Sequence, residues 1–146
     1  MKQEGDLKKM RLWHKNLIKV LPREQLVAQW REVSAIAGAI IKNGTPNHLL
    51  VNKVLNYDFD HFITYSKLIK DETAARGYRT TSTVWDKIVN LEPSWKEIPI
   101  NELFPNWHTK RYLKQCYYNL EEKYDCGGIS PEDWAKIEKV VLTTYV

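Results

Sequence analysis

The stretch LPREQLVAQWREVSAIAGAIIKNG, residues 21–44, constrains the fold more than any other part of the chain. Its apolar residues recur at three-to-four spacing, the period of an α-helix that packs one face against a core. Pro22 suits the first turn of such a helix, and Asn43-Gly44 suits its end. The sequence therefore predicts one long helix here, whose apolar stripe consists of Leu26, Trp30, Val33, Ala37 and Ile40.

Five later segments also have helical periodicity or helix-capping residues. The clearest begins at Asp58 or Asp60 and ends at Gly77, and the last has Ser130 as its N-cap before Pro131. Residues 92–107 contain three prolines and are predicted to form a loop over the body of the protein. The five predicted helical segments are residues 45–57, 58–78, 80–91, 108–128 and 130–142.

No segment of useful length alternates between apolar and polar residues, which is the pattern of a half-buried strand. A chain of 146 residues is long enough to bury a sizeable core. We therefore expect an all-α protein, a single compact domain of five to six helices. We assign residues 10–146 to this domain and residues 1–9, which are polar, to a flexible N-terminal extension.

Charge and cysteine content narrow the class of protein. The net charge is +4, and the basic excess is concentrated in the N-terminal third, where residues 8–31 contain a single acid, Glu24. This distribution mildly favours a polyanionic partner. Cys116 and Cys126 have no metal-finger spacing, and we expect reduced core thiols and no metal or cofactor. Without an apolar signal segment or membrane span, we expect a cytoplasmic protein that binds no membrane.

The pair Arg31-Glu32 lies midway along the first long helix. Helix geometry places Glu32 on a line with Gln25, Gln29 and Ile36, beside the apolar stripe. Its carboxylate should therefore be partly sheltered at the edge of the core. The alternative is a solvated acid or an intrahelical ion pair.

Three segments resemble the pyrimidine dimer DNA glycosylases, the family typified by phage endonuclease V. They are MRLWH at residues 10–14, LPREQLVAQWRE at residues 21–32, and VNKVLNYDFDHFITYSKLIKDETAARGY at residues 51–78. The later stretch YLKQCYYNLEEKYDCGG resembles bacterial members of that group. The resemblance implies a compact all-helical fold, in agreement with the periodicity.

The resemblance also implies a reaction on damaged double-stranded DNA. In that family the N-terminal α-amine attacks the sugar C1′, displaces the base and forms a Schiff base, and a glutamate then assists β-elimination at the abasic site. By motif, Met10 takes the place of the nucleophile and Glu32 that of the glutamate. An α-amine has a pKa of about 8, below that of lysine, so more of it is the free nucleophile at neutral pH.

Four residues are candidates for DNA contact. By motif, Arg31 matches the arginine beside the glutamate, and Arg11 matches the basic residue behind the nucleophile. His14 could contact phosphate or polarise a base, with helix capping or packing as the open alternative. Arg23, like Lys15 and Lys19, suits a phosphate contact, with an ordinary solvated face as the alternative. We expect the protein to act as a monomer.

Three features leave an alternative open. Met10 is preceded by nine residues, and an internal peptide nitrogen is not a nucleophile, so we expect translation to start at Met10. Lys8 and Lys9 are alternative Schiff-base amines. Ala35 occupies the position of a second family arginine, three residues after Glu32. The alternative function is a non-catalytic nucleic-acid-binding or interaction module on the same fold.

Overall fold

The computed structural model describes residues 10–145, and between these limits every regular element is helical, as predicted. The predicted extension, residues 1–9, lies outside the described residues. Three short 3-10 helices, Lys15–Val20, Asn52–Asn56 and Ile100–Glu102, connect five α-helices. The α-helices are α1 (Arg23–Asn43), α2 (Phe59–Ala75), α3 (Ser82–Val89), α4 (Lys110–Asp125) and α5 (Pro131–Tyr145).

The ends of the helices follow the predicted capping residues. Helix α1 ends at Gly44, whose φ of 75° is the left-handed conformation that glycine adopts without strain. Asp58 occupies the N-cap position of α2, although its side chain makes no capping hydrogen bond. At α5 the Ser130 hydroxyl accepts a hydrogen bond from the backbone N–H of Asp133 at 3.1 Å.

Residues 45–57 differ from the prediction, since only the 3-10 helix Asn52–Asn56 forms there. Asn47 has a φ of 54°, which no α-helix tolerates. The carboxamide oxygen of Asn52 accepts the backbone N–H of His48, and the imidazole of His48 accepts the N–H of Leu50. These local side-chain bonds satisfy backbone groups in a turn and replace the helix that the apolar spacing predicted.

One hydrophobic core joins the helices, and the stretch from Met10 to Leu21 contributes side chains to it. Helix α1 packs on α2 and α3, α4 packs on α5, and the 3-10 helix Lys15–Val20 packs on both α2 and α5. Trp30 is in the core, as predicted. Of the two predicted core thiols, Cys116 is buried, but Cys126 is exposed because it follows the last residue of α4.

Arg76, at the end of α2, ties this helix to the start of α1. Its guanidinium donates to the carbonyl of Leu21 at 2.7 Å and to that of Lys19 at 3.0 Å. The same side chain pairs with Glu72 at 2.8 Å. Because these carbonyls immediately precede α1, Arg76 fixes the direction in which that helix leaves the 3-10 helix.

Candidate functional site

A cavity of about 520 Å³ lies along α1 and reaches α4. Helix α1 contributes most of its wall, Trp13 comes from the segment before the first 3-10 helix, and Lys123 comes from α4. The cavity is large enough for a nucleotide-sized group and open to solvent on one side. Its charged and aromatic lining consists of Trp13, Arg23, Glu24, Arg31, Glu32 and Lys123.

Glu32 is partly buried in this cavity, as its place beside the apolar stripe predicted. Arg23, Arg31 and Lys123 are exposed and outnumber the two carboxylates of the lining. A concave surface with such a cationic excess attracts an anion such as a DNA phosphate.

Aromatic rings hold two of the predicted DNA-contact arginines. The Arg23 guanidinium carbon lies 5.2 Å from the centroid of the Tyr78 ring, and that of Arg11 lies 5.5 Å from the centroid of the Trp13 ring. Such cation–π contacts orient a guanidinium without using its five N–H donors. Both side chains therefore keep donors available for a phosphate.

Met10 is 3% exposed, and its side chain belongs to the hydrophobic core. The segment that follows it is bonded to α1, because the backbone N–H of Trp13 donates to the Gln29 side chain at 2.8 Å. Gln29 lies one helical turn before Glu32 on α1. The segment that starts at the predicted nucleophile, Met10, is thus bonded to α1 about one helical turn from Glu32, the predicted catalytic residue.

His14 is 2% exposed and caps the 3-10 helix that follows it. Its Nδ1 accepts the backbone N–H of Asn16 at 3.1 Å, and its ring stacks on His108 with 5.2 Å between centroids. Burial lowers the pKa of His14 to about 4. Within the chain, His14 therefore has the capping and packing role that was the alternative prediction. A contact of His14 with DNA stays a prediction.

Lys15 is buried, which agrees with neither alternative given for it, a phosphate contact or an ordinary solvated face. Its ammonium donates to the carbonyl of Leu103 at 2.6 Å, and burial lowers its pKa. Lys19, by contrast, is exposed. Of these two lysines, only Lys19 can serve as a surface phosphate contact without a change in the core.

Lys123 and Gln25 line the cavity but were not among the predicted site residues. Lys123 belongs to α4, and periodicity along one helix does not reveal which face will meet another helix. Ala35 is exposed, so the position of the second family arginine offers no cation in this chain.

Neither a metal site nor a membrane span is found in the part of the chain that the structure describes. No group of three His, Cys, Asp or Glu residues within 10–145 is arranged to hold a metal ion. Over the same residues, no helix combines the length and the apolar character that crossing a membrane requires.

The structure thus combines an all-helical fold with a cavity in which three cationic side chains and Glu24 surround the half-buried Glu32. The family comparison is more specific. The family model described as pyrimidine dimer DNA glycosylase matches residues 10–86, just over half of the chain, and the chain belongs to this family. Its function class is therefore that of a DNA repair glycosylase. No match was found among curated proteins or among solved structures.

The matched region bears on the candidate site in two ways. It begins at Met10, the residue to which the motif assigns the nucleophile, and it includes Glu32 and all of α1 and α2. Lys123 lies outside it. The catalytic and DNA-binding roles of individual residues stay predictions.

Proposed function

We propose that this protein is a glycosylase with abasic-site lyase activity on damaged, pyrimidine dimer-type duplex DNA. The observation that carries the proposal is the position of Glu32. This carboxylate is partly buried in a cavity whose other charged groups are mostly cationic, and it lies on α1, whose Gln29 is hydrogen-bonded to the segment that starts at Met10.

In the first step, the α-amine of Met10 attacks C1′ of the damaged nucleotide. The C1′–N bond to the base breaks, and the base leaves with the bonding electrons and takes up a proton. Loss of the amine proton and opening of the C1′–O4′ bond give a protonated Schiff base and a free O4′ hydroxyl. An amide nitrogen cannot begin this sequence because its lone pair is delocalised. This mechanism therefore requires a form of the protein that begins at Met10.

In the second step, Glu32 supports β-elimination. The protonated Schiff base acidifies the proton on C2′, a base removes it, and the C3′–O bond breaks so that the 3′ phosphate leaves. A sheltered carboxylate stabilises the cationic intermediate and can accept or deliver the protons at O4′ and C2′. Hydrolysis of the Schiff base then returns the free amine.

The cationic lining has the role of holding the DNA backbone while the sugar reacts. We assign phosphate contacts to Arg23 and Arg31, with Lys123 as an addition from α4, and a contact beside the amine to Arg11. Extruding a nucleotide from the duplex costs a few kcal/mol, and less for a damaged pair. Phosphate contacts contribute the binding energy that offsets this cost, so affinity should fall steeply with salt.

The second candidate function is a nucleic-acid-binding module without chemistry. Two observations favour it for the chain that begins at Met1. Met10 is 3% exposed and carries an amide nitrogen rather than an amine, and the exposed Ala35 provides no second arginine. Such a module would bind DNA with the same salt dependence but would form no covalent adduct.

Borohydride reduction of the Schiff base separates the two candidates. The protein that begins at Met10 should form a stable adduct with an abasic-site duplex and with a dimer-containing duplex, because its amine is free. The chain that begins at Met1 should form none by this route. Thermal melting of both forms provides the control for folding. If the Met10 form is folded and binds DNA but gives no adduct, the protein is a binding module.

A further inference from the structure

Three side chains from three helices hold the backbone of residues 11–13. The Gln29 amide on α1 accepts the N–H of Trp13 at 2.8 Å and donates to the carbonyl of Arg11 at 2.9 Å. The Tyr65 hydroxyl on α2 donates to the carbonyl of Trp13 at 2.6 Å. The Tyr112 hydroxyl on α4 donates to the carbonyl of Leu12 at 2.7 Å. We call Gln29, Tyr65 and Tyr112 the backbone clamp.

Two members of the clamp, Gln29 and Tyr65, are polar residues at core positions, where apolar side chains usually pack. Gln29 and Tyr65 are fully buried, and the single O–H of Tyr65 is shared between the Trp13 carbonyl and the Gln29 carboxamide oxygen, which lies 2.8 Å from the hydroxyl. Buried polar groups contribute little net stability but are costly when unpaired, so a complete network selects one conformation. A shift of the segment by one residue would leave the Gln29 amide without its partners.

The clamp also connects this segment to the cavity. Gln29 and Glu32 are three residues apart on α1, so their side chains are neighbours on the helix surface. Burial is the main reason that the pKa of Tyr65 is raised, and the charge of Glu32 adds to this shift. Trp13, whose N–H and carbonyl the clamp binds, lines the cavity together with Glu32.

We propose that the backbone clamp is a positioning device that holds the Met10 amine in register with Glu32. This inference rests on the proposed function. Met10 immediately precedes the first clamped residue, and its side chain is anchored in the core. Its nitrogen is therefore held from both sides: by the buried side chain and by the bonds to residues 11–13. No member of the clamp needs to touch DNA.

A clamp of this kind acts on rate rather than on DNA affinity. Small misplacements of a reacting group lower a rate strongly, so loss of one clamp bond should slow Schiff-base formation by about 10- to 100-fold. The phosphate contacts lie on other side chains and should be preserved. The concentration of DNA that gives half of the maximal rate should therefore stay unchanged.

The test uses the protein that begins at Met10 and two clamp variants. Tyr112→Phe removes one hydroxyl and keeps the ring, and Gln29→Met keeps the length of the side chain without its amide. Thr73→Val is the matched control, because the Thr73 hydroxyl donates at 2.7 Å to Lys70 of its own helix. Borohydride trapping on an abasic-site duplex, at increasing DNA concentration and well below each melting temperature, gives the maximal rate and the half-saturating concentration.

We expect both clamp variants to lose maximal rate at unchanged half-saturation, and Thr73→Val to lose neither. Wild-type rates in folded Tyr112→Phe and Gln29→Met would overturn the positioning role while leaving the proposed function intact. A higher half-saturating concentration without a change in maximal rate would also overturn it, because the clamp would then serve DNA binding. Absence of an adduct from the wild-type Met10 form would instead overturn the proposed function itself.

Discussion

Replacing Glu32 by Gln in the protein that begins at Met10 should lower the rate of strand cleavage by about 10²- to 10⁴-fold, the usual contribution of a positioned acid–base group. The amide cannot accept the C2′ proton, whereas the amine of Met10 is untouched. The Schiff base should therefore accumulate and be trapped by borohydride. DNA affinity should stay equal or rise, because the substitution removes one negative charge from a cavity with a cationic excess. Single-turnover cleavage and trapping measure the two steps separately.

Glu24→Gln is the matched control for this experiment. Glu24 lines the same cavity from the first turn of α1, and it is exposed whereas Glu32 is half-buried. The same change in charge at Glu24 should leave the rate of strand cleavage near that of wild type. Equal losses in the two variants would assign the effect to the net charge of the cavity and contradict a catalytic role of Glu32.

The second large effect is a loss of stability in mild acid. His14 is 2% exposed, and burial lowers its pKa from 6.5 to about 4. The unfolded chain therefore binds a proton more readily than the folded protein below pH 6.5, and the free energy of unfolding falls as pH decreases towards 4. At pH 5 this histidine alone should lower it by about 2 kcal/mol relative to pH 7.5.

His108 should add to this loss. It is stacked on His14, and burial, together with the charges of His14 and Lys15, lowers its pKa well below the ordinary value. Its Nδ1 accepts the backbone N–H of Lys15 at 2.9 Å, so the neutral ring carries its proton on Nε2, and a second proton would enter at Nδ1 and break this buried hydrogen bond. Neither histidine contributes to pH dependence above about pH 7.5, where both are neutral in the folded and the unfolded chain.

Denaturant unfolding between pH 7.5 and 5 measures the effect. The double variant His14→Asn, His108→Asn retains a side-chain acceptor at both positions but no titrating group. Its stability should fall less with acid than that of wild type. His48 and His61, whose pKa values are also lowered by burial, are present in both proteins and cancel in the comparison. The same pH slope in both proteins would contradict this account.

The parts of the fold that the sequence predicts well are those in which local signals agree. Along α1 the apolar period, Pro22 and Gly44 indicate the same limits, and the position of Glu32 beside the stripe predicts its partial burial. In residues 45–57 the apolar spacing suggested a helix, but the hydrogen bond from the His48 backbone N–H to the Asn52 side chain stabilises a turn instead. Local competition of this kind is not visible in periodicity.

The parts of the site that could not be predicted depend on contacts between distant residues. Gln29 shares a line with Glu32 on α1, but only the fold shows that its amide bonds to Arg11 and Trp13. Tyr112 reaches the Leu12 carbonyl across 100 positions of sequence. Buried bonds of this type depend on how helices pack, and the motif supplies residue identities rather than packing.

The most direct test of the central claim is to locate the covalent bond after trapping. The Met10 form and the chain that begins at Met1 are each reduced with borohydride on an abasic-site duplex, digested, and sequenced by tandem mass spectrometry. The account predicts a sugar remnant on the α-nitrogen of Met10 in the first protein and no adduct in the second. An adduct on Lys8 or Lys9 of the full chain, or on any other lysine, would contradict it. The absence of an adduct from both proteins would contradict it as well.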